Sequence, residues 1–118
     1  MDYLAKLLKW FNPNHISPTE VLHKISRGQV TVIDLNSNMR WKQGHVPGAL
    51  HVNPESMSQD DLPTDRSSEV IFYCSNPLCR KAPNAAKRAS GMGFQNVRVM
   101  SAGINGWISE GLPIESGV

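Results

Sequence analysis

The feature that most constrains this chain is an alternation of two kinds of segment. Four short apolar runs, most of them rich in β-branched residues, at 30–35, 49–52, 70–73 and 97–100, are separated by stretches that carry helix punctuation. Strands that alternate with helices specify an α/β domain with a mostly parallel central sheet and helices on both faces. The punctuation is explicit at Ser17-Pro18-Thr19-Glu20, where Ser17 caps, Pro18 suits the first turn and Glu20 completes a capping box. Val21, Leu22 and Ile25 supply that helix's buried stripe and Gly28 ends it. An alanine-rich segment at 80–90, closed by Gly91 and Gly93, reads as a second helix. A short one at 104–110 is stopped by Gly111 and followed by Pro113.

Between the first two runs lies a polar turn with Met39 and Trp41, then a tight turn at Gly44-His45-Val46-Pro47-Gly48. Residues 54–68 read as a connecting segment with one helical turn after Asn53. Trp41 and Trp107 are expected to fill the core, and Trp10 to be exposed. Ahead of the domain, Leu4, Leu7, Leu8 and Phe11 recur at helical spacing, and Asn12-Pro13-Asn14 ends the pattern. Residues 1–15 therefore read as an amphipathic helical extension, and residues 16–118 as the domain proper. The apolar stripe of the extension is expected to pack on the domain; a membrane-surface or partner role is the other reading.

At 118 residues the chain is one ordinary domain with enough surface to bury a core. A net charge of +2 is too small to argue for nucleic acid on electrostatic grounds. No run is long enough to span a bilayer, and the start has no signal-peptide pattern, so the expected setting is cytoplasmic. Two cysteines make no disulfide scaffold. His15, His23, His45 and His51 are scattered without ligand spacing, so no metal is expected.

The chemistry is concentrated at one place. The run Val70-Ile71-Phe72-Tyr73 leads straight into Cys74, and a helix begins about six residues later. Ligands of open α/β sheets bind beyond the carboxyl ends of the strands. A loop there, ahead of a helix N-terminus, offers several backbone N–H groups to an anion. Cys74 opens this loop and Arg80 closes it. Arg80 and the helix dipole are both expected to favour the Cys74 thiolate, lowering its pKa. The competing expectation is an inert buried thiol at a strand end. Lys81, Lys87 and Arg88 flank the loop as a solvated basic face able to attract an anion.

Four pieces in order resemble the rhodanese-like domain family from about residue 16 to 114. They are Val32-Ile33-Asp34, Gly44-His45-Val46-Pro47-Gly48-Ala49, Phe72-Tyr73-Cys74, and Ala102-Gly103-Ile104-Asn105-Gly106-Trp107 followed by Gly111-Leu112-Pro113. The resemblance implies a single rhodanese-like domain and sulfur transfer. Cys74 would take a sulfane sulfur from thiosulfate or a related anionic donor, become a persulfide, and pass the sulfur to cyanide, a thiol or an acceptor protein. Residues Ser75, Asn76, Leu78, Cys79 and Arg80 would bind the substrate anion, with Asp34 and His45 in support. No cofactor, nucleic acid or membrane partner is implied, and the expected state is a monomer.

The loop departs from the family's commonest pattern. Five residues rather than four, Ser75 to Cys79, separate Cys74 from Arg80. This spacing resembles the branch of dual-specificity phosphatases and arsenate reductases, which leaves phosphate or arsenate chemistry through Cys74 as an alternative; a non-catalytic binding module is a third. Against a phosphatase, the loop carries no carboxylate to act as general acid. Asp34 is the nearest one by topology, and anchoring of backbone N–H groups at a strand end is the expected role for it. Pro77 removes one anion donor, and without a glycine the loop would need Asn76 in any left-handed position. Cys79 has two readings. It packs under the loop, or it is a resolving thiol that attacks a persulfide or an oxidised Cys74.

Overall fold

A computed structural model describes residues 14–117; residues 1–13 of the amphipathic extension, Trp10 among them, lie outside the described residues. Helix α1 (Pro18–Ser26) begins as its sequence dictates. The Ser17 hydroxyl accepts the Glu20 N–H, and the Glu20 carboxylate accepts the Ser17 N–H. Strands β1 (Thr31–Asp34), β2 (Leu50–His51), β3 (Glu69–Tyr73) and β4 (Asn96–Val99) form one parallel sheet in the order β2-β1-β3-β4. A segment at the edge covers β4: the Ile16 N–H donates to Val99 O, and the Val99 N–H to Asn14 O, each at 3.0 Å.

β3 is central and buried on both faces, which is why it reads as an unbroken apolar run. Val70 and Phe72 face one cluster with Ile33, Leu35, Phe94 and the alanines of α3 (Lys81–Gly91). Ile71 and Tyr73 face the other, with Val21, Val46, Ile104 and Trp107. The alanine-rich sequence of α3 lets the helix approach closely, through Ala82, Ala85 and Ala89. Helix α4 (Gly103–Ser109) buries Trp107, whose indole N–H donates to Pro113 O at 2.7 Å.

Three local expectations are corrected. Residues 36–43 are not a polar turn; they hold helix α2 (Asn38–Gln43), capped by Ser37, whose hydroxyl accepts the Arg40 N–H. It has no buried residue, so it shows no apolar stripe to read. Trp41 does not fill the core. It is half-buried, stacked on His45 at 3.4 Å and on His51 at 4.8 Å between ring centroids. The helical turn in 54–68 falls at Gln59–Asp61 as a 3-10 turn, capped by Ser58; the chain after Asn53 makes an Asx-type turn through its side chain.

Candidate active-site loop

The carbonyl end of β3 is fixed from three sides before the loop begins. The Leu35 N–H donates to Tyr73 O and the Met100 N–H to Phe72 O, both at 3.0 Å. The Cys74 carbonyl accepts from the Ile104 N–H at 2.9 Å and from the Asn36 side-chain amide at 3.2 Å. The Ser75 carbonyl accepts the Asn105 N–H at 3.0 Å. The first turn of α4 thus clamps the first two loop residues. The fit requires glycine at 103: φ is +66°, and a Cβ there would lie 2.5 Å from the Ser75 carbonyl.

Asp34 shapes the same corner from below. It accepts the Asn36 N–H at 2.7 Å and the Tyr73 hydroxyl, which itself accepts the Val46 N–H at 3.0 Å. Burial raises the Asp34 carboxyl above its ordinary value, and the Tyr73 and Asn36 donors work against that rise. Asp34 is therefore committed to holding Asn36, and through it the Cys74 carbonyl. His45 is also architectural. Its Nδ1–H donates to Trp41 O at 2.7 Å, and its backbone pairs with Glu115.

The loop then turns on Asn76 without a left-handed residue; among the described residues no non-glycine has positive φ. The Asn76 side-chain oxygen accepts the Leu78 N–H at 2.9 Å, and its carbonyl accepts the Cys79 N–H at 3.1 Å. An Asx turn thus does the work expected of a left-handed asparagine. This turn throws Leu78 outward, 87% exposed, and brings Cys79 back over Cys74. The two thiols share a cavity of about 10 Å³ lined also by Asn76, Pro77, Ala82 and Met100, the lower limit for a single water. No carboxylate lines it among the described residues.

The charge state expected of Cys74 is corrected. Cys74 is 3% exposed. Burial pushes its thiol up to about 12, and its S–H, donated to Cys79, adds to the rise against the N–H groups of Ala82 and Ser75. The shift at Cys79 runs the other way. Its own partial burial opposes ionisation, but the Cys74 S–H, the Lys81 and Ser75 N–H groups and the Ser75 hydroxyl outweigh it and hold it below the ordinary thiol value. The helix N-terminus acts as expected, through Lys81 and Ala82. Arg80 does not line the thiol cavity. It is exposed on an adjoining groove of about 480 Å³ with Pro77, Asn84, Lys87 and Ser101.

Of the expected site residues, the structure thus brings Cys74, Ser75, Asn76 and Cys79 together, sets Arg80 beside them, and leaves Leu78 outside. Sequence reasoning missed Asn36, Ala82 and Asn105. Asn36 had a signal, two positions past Asp34 at the end of the strand beside β3.

A family model described as the rhodanese-like domain matches residues 17–110. The thiosulfate sulfurtransferase GlpE of Haemophilus influenzae is 29% identical over 101 residues, covering 86% of this chain and 93% of that protein. An HTH-type transcriptional regulator of Mycobacterium tuberculosis is 26% identical over 102 residues, and the matched stretch spans 86% of this chain but only 45% of the regulator. Among solved structures, a thiosulfate sulfurtransferase from Pseudomonas aeruginosa superposes with a TM-score of 0.76 at 24% identity, over 88% of this chain and 19% of that one.

Proposed function

The chain belongs to the rhodanese-like domain family, and from that premise we propose that it is a sulfurtransferase: it accepts a sulfane sulfur from thiosulfate or a related anionic donor as a cysteine persulfide and delivers it to a thiol, an acceptor protein or cyanide. The observation that carries this reading is the placing of two thiols, Cys74 and Cys79, on one small cavity of the loop beyond β3, ahead of the α3 N-terminus. A thiolate held by N–H groups at a helix N-terminus is a ready nucleophile toward a sulfane sulfur. The groove beside it presents Arg80 and Lys87, whose charges suit capture of a dianionic donor. The match to a sulfurtransferase over nearly the whole length of both chains supports the same chemistry.

Against phosphoryl transfer, which the loop spacing alone favours, the thiol cavity has no carboxylate among the described residues, and Asp34 is engaged by Tyr73 and Asn36. No helix among the described residues is long and apolar enough to cross a membrane, in keeping with a proposed cytoplasmic setting. The proposal is tested by incubating the reduced protein with thiosulfate and measuring sulfite. Stoichiometric sulfite that disappears when both cysteines are replaced is expected; no sulfite from the wild type would overturn the reading.

A further inference from the structure

Acids and bases are spread unevenly along this chain. All 10 Asp and Glu lie before Val70 or after Ser109, and the stretch between them holds five Lys and Arg. One of the five, Arg98, meets Glu69 at 3.4 Å. The others, Arg80, Lys81, Lys87 and Arg88, stand exposed on α3 or its cap, and no carboxylate among the described residues pairs with them. Arg80, Asn84 and Lys87 recur at intervals of four and three, so they form one row along the helix. That row lines the groove together with Val97 and Val99 of β4. The groove runs from Pro77 and Arg80 at the loop to Ser90 near the far end of α3, about 15 Å at 1.5 Å per residue. A donor anion at Arg80 touches only its loop end, because Lys87 lies about 10 Å further along the axis. At that end, between Pro77 and Arg80 in sequence, Leu78 is the most exposed large hydrophobic among the described residues.

We propose that this face docks a protein acceptor: an acidic segment that carries the receiving cysteine lies along the groove, with an apolar side chain against Leu78. The assignment rests on the sulfurtransferase reading and narrows its acceptor to a protein thiol. An extended chain advances about 3.3 Å per residue, so a segment of about four or five residues spans the groove. With its cysteine at the loop end, an acid about three residues away reaches Lys87. The sulfur then moves by exchange. The acceptor's thiolate attacks the outer sulfur of the loop persulfide, the S–S bond breaks, and the loop cysteine leaves with the bonding pair. An acceptor thiol and a loop persulfide become an acceptor persulfide and a loop thiol, with no net change in protons or electrons. A nucleic acid is the other polyanion that this charge could meet. The groove lining has no aromatic side chain on which a base could stack, and Leu78 offers an apolar contact that a phosphate backbone does not use.

The test uses protein loaded with sulfur from thiosulfate and then freed of donor, so that only delivery is read. The acceptors are three peptides, each with one cysteine beside a leucine, carrying Glu, Gln or Lys at the third and fourth positions on both sides of the cysteine. Cyanide is the small acceptor. Persulfide on the peptide is measured by mass and thiocyanate by its iron complex. At low salt the Glu peptide should take up sulfur about tenfold faster than the Lys peptide, exposed ion pairs gained against repulsions of similar size, with the Gln peptide between. At 1 M salt the three should converge as the Debye length falls to about 3 Å. Lys87→Glu should shrink the advantage of the Glu peptide and speed the Lys peptide. Leu78→Ala should lower the ratio of peptide transfer to cyanide transfer about threefold, the partial burial of one leucine side chain. Equal rates for the three peptides at low salt, a preference that persists at 1 M, or a Lys87→Glu protein with the wild-type order of rates would overturn the docking face; with cyanide still served, sulfur transfer would stand. A single-stranded oligonucleotide that blocks transfer at lower concentration than a cysteine-free Glu peptide would make the face a nucleic-acid site and overturn the proposal as well. Protein that takes up no sulfur from thiosulfate would instead remove the sulfurtransferase reading, and this proposal with it.

Discussion

Two thiols that share a proton titrate as a pair, and the fold makes the two sites unequal. Burial at the strand end raises the Cys74 thiol; at Cys79, nearer the surface, partial burial is outweighed by the Cys74 S–H, the Lys81 and Ser75 N–H groups and the Ser75 hydroxyl, which lower it. The signs follow. Ionisation of Cys79 favours the folded state, a contribution complete above the ordinary thiol value of 9.0 and lost as the pH falls through its lowered one. The neutral Cys74 favours the folded state below 9.0, and that contribution is lost as the pH rises toward about 12. Alkylation at neutral pH should therefore fall on Cys79, with a rate inflection below the ordinary thiol value, read by peptide mapping across pH. Labelling of Cys74 ahead of Cys79 would contradict the pairing. Cys74→Ala removes the S–H donor, so the Cys79 inflection should move back up and its rate at pH 7 should fall. None of this was legible in the sequence. The strand leading to Cys74 could be read, but the direction of the Cys79 side chain depends on the Asn76 turn, and the direction of Arg80 on the helix after it.

At the scale of elements, the loop is shaped by its neighbours more than by itself. Asp34 at the end of β1 holds the Tyr73 hydroxyl of β3 and the Asn36 N–H, and Asn36 holds the Cys74 carbonyl. Asp34→Ala orphans two buried donors and should cost about 2–4 kcal/mol, read from urea unfolding, with slower sulfite release from the same protein. A cost below about 0.5 kcal/mol, the range of an ordinary surface substitution, would mean that the network carries no weight. The α4 side of the clamp has its own control. Gly103 and Gly28 have nearly the same φ, +66° and +69°, but an added Cβ meets the Ser75 backbone at the first and nothing within 4 Å at the second. Gly28→Ala should cost about 1–2 kcal/mol of backbone strain and leave thiol reactivity alone. Gly103→Ala adds the clash, so about 2–5 kcal/mol, and should alter the alkylation rate of Cys79 by shifting the loop. Equal effects at the two positions would refute the clamp. Gly103 was visible in the sequence only through the family pattern. Helix α2 was not visible at all, because a short helix with no buried face leaves no apolar period.

Over the whole molecule, the alternation of strands and helices was legible because β1 and β3 are buried on both faces, and the family pieces fall at the strand ends that build the site. The charge distribution was less so. The net charge of +2 says little, yet the fold gathers Arg80 and Lys87 on one groove next to the thiols. Both side chains are exposed, so each acts through screened solvent and contributes no more than an exposed ion pair, about 0.2–1 kcal/mol. If the groove receives the anionic donor, removing both charges should weaken capture without touching the thiol chemistry. Arg80→Ala combined with Lys87→Ala should raise KM for thiosulfate about fivefold with kcat nearly unchanged. The alkylation inflection of Cys79 should stay in place, because neither charge lines the thiol cavity. Wild-type KM should rise with salt and converge on that of the double variant as the charges are screened, the Debye length shrinking to about 3 Å at 1 M. A KM that ignores both salt and the substitutions would place the donor elsewhere. A fall in kcat with KM unchanged would instead place Arg80 at the reacting atoms, which would require the loop to open before sulfur is transferred.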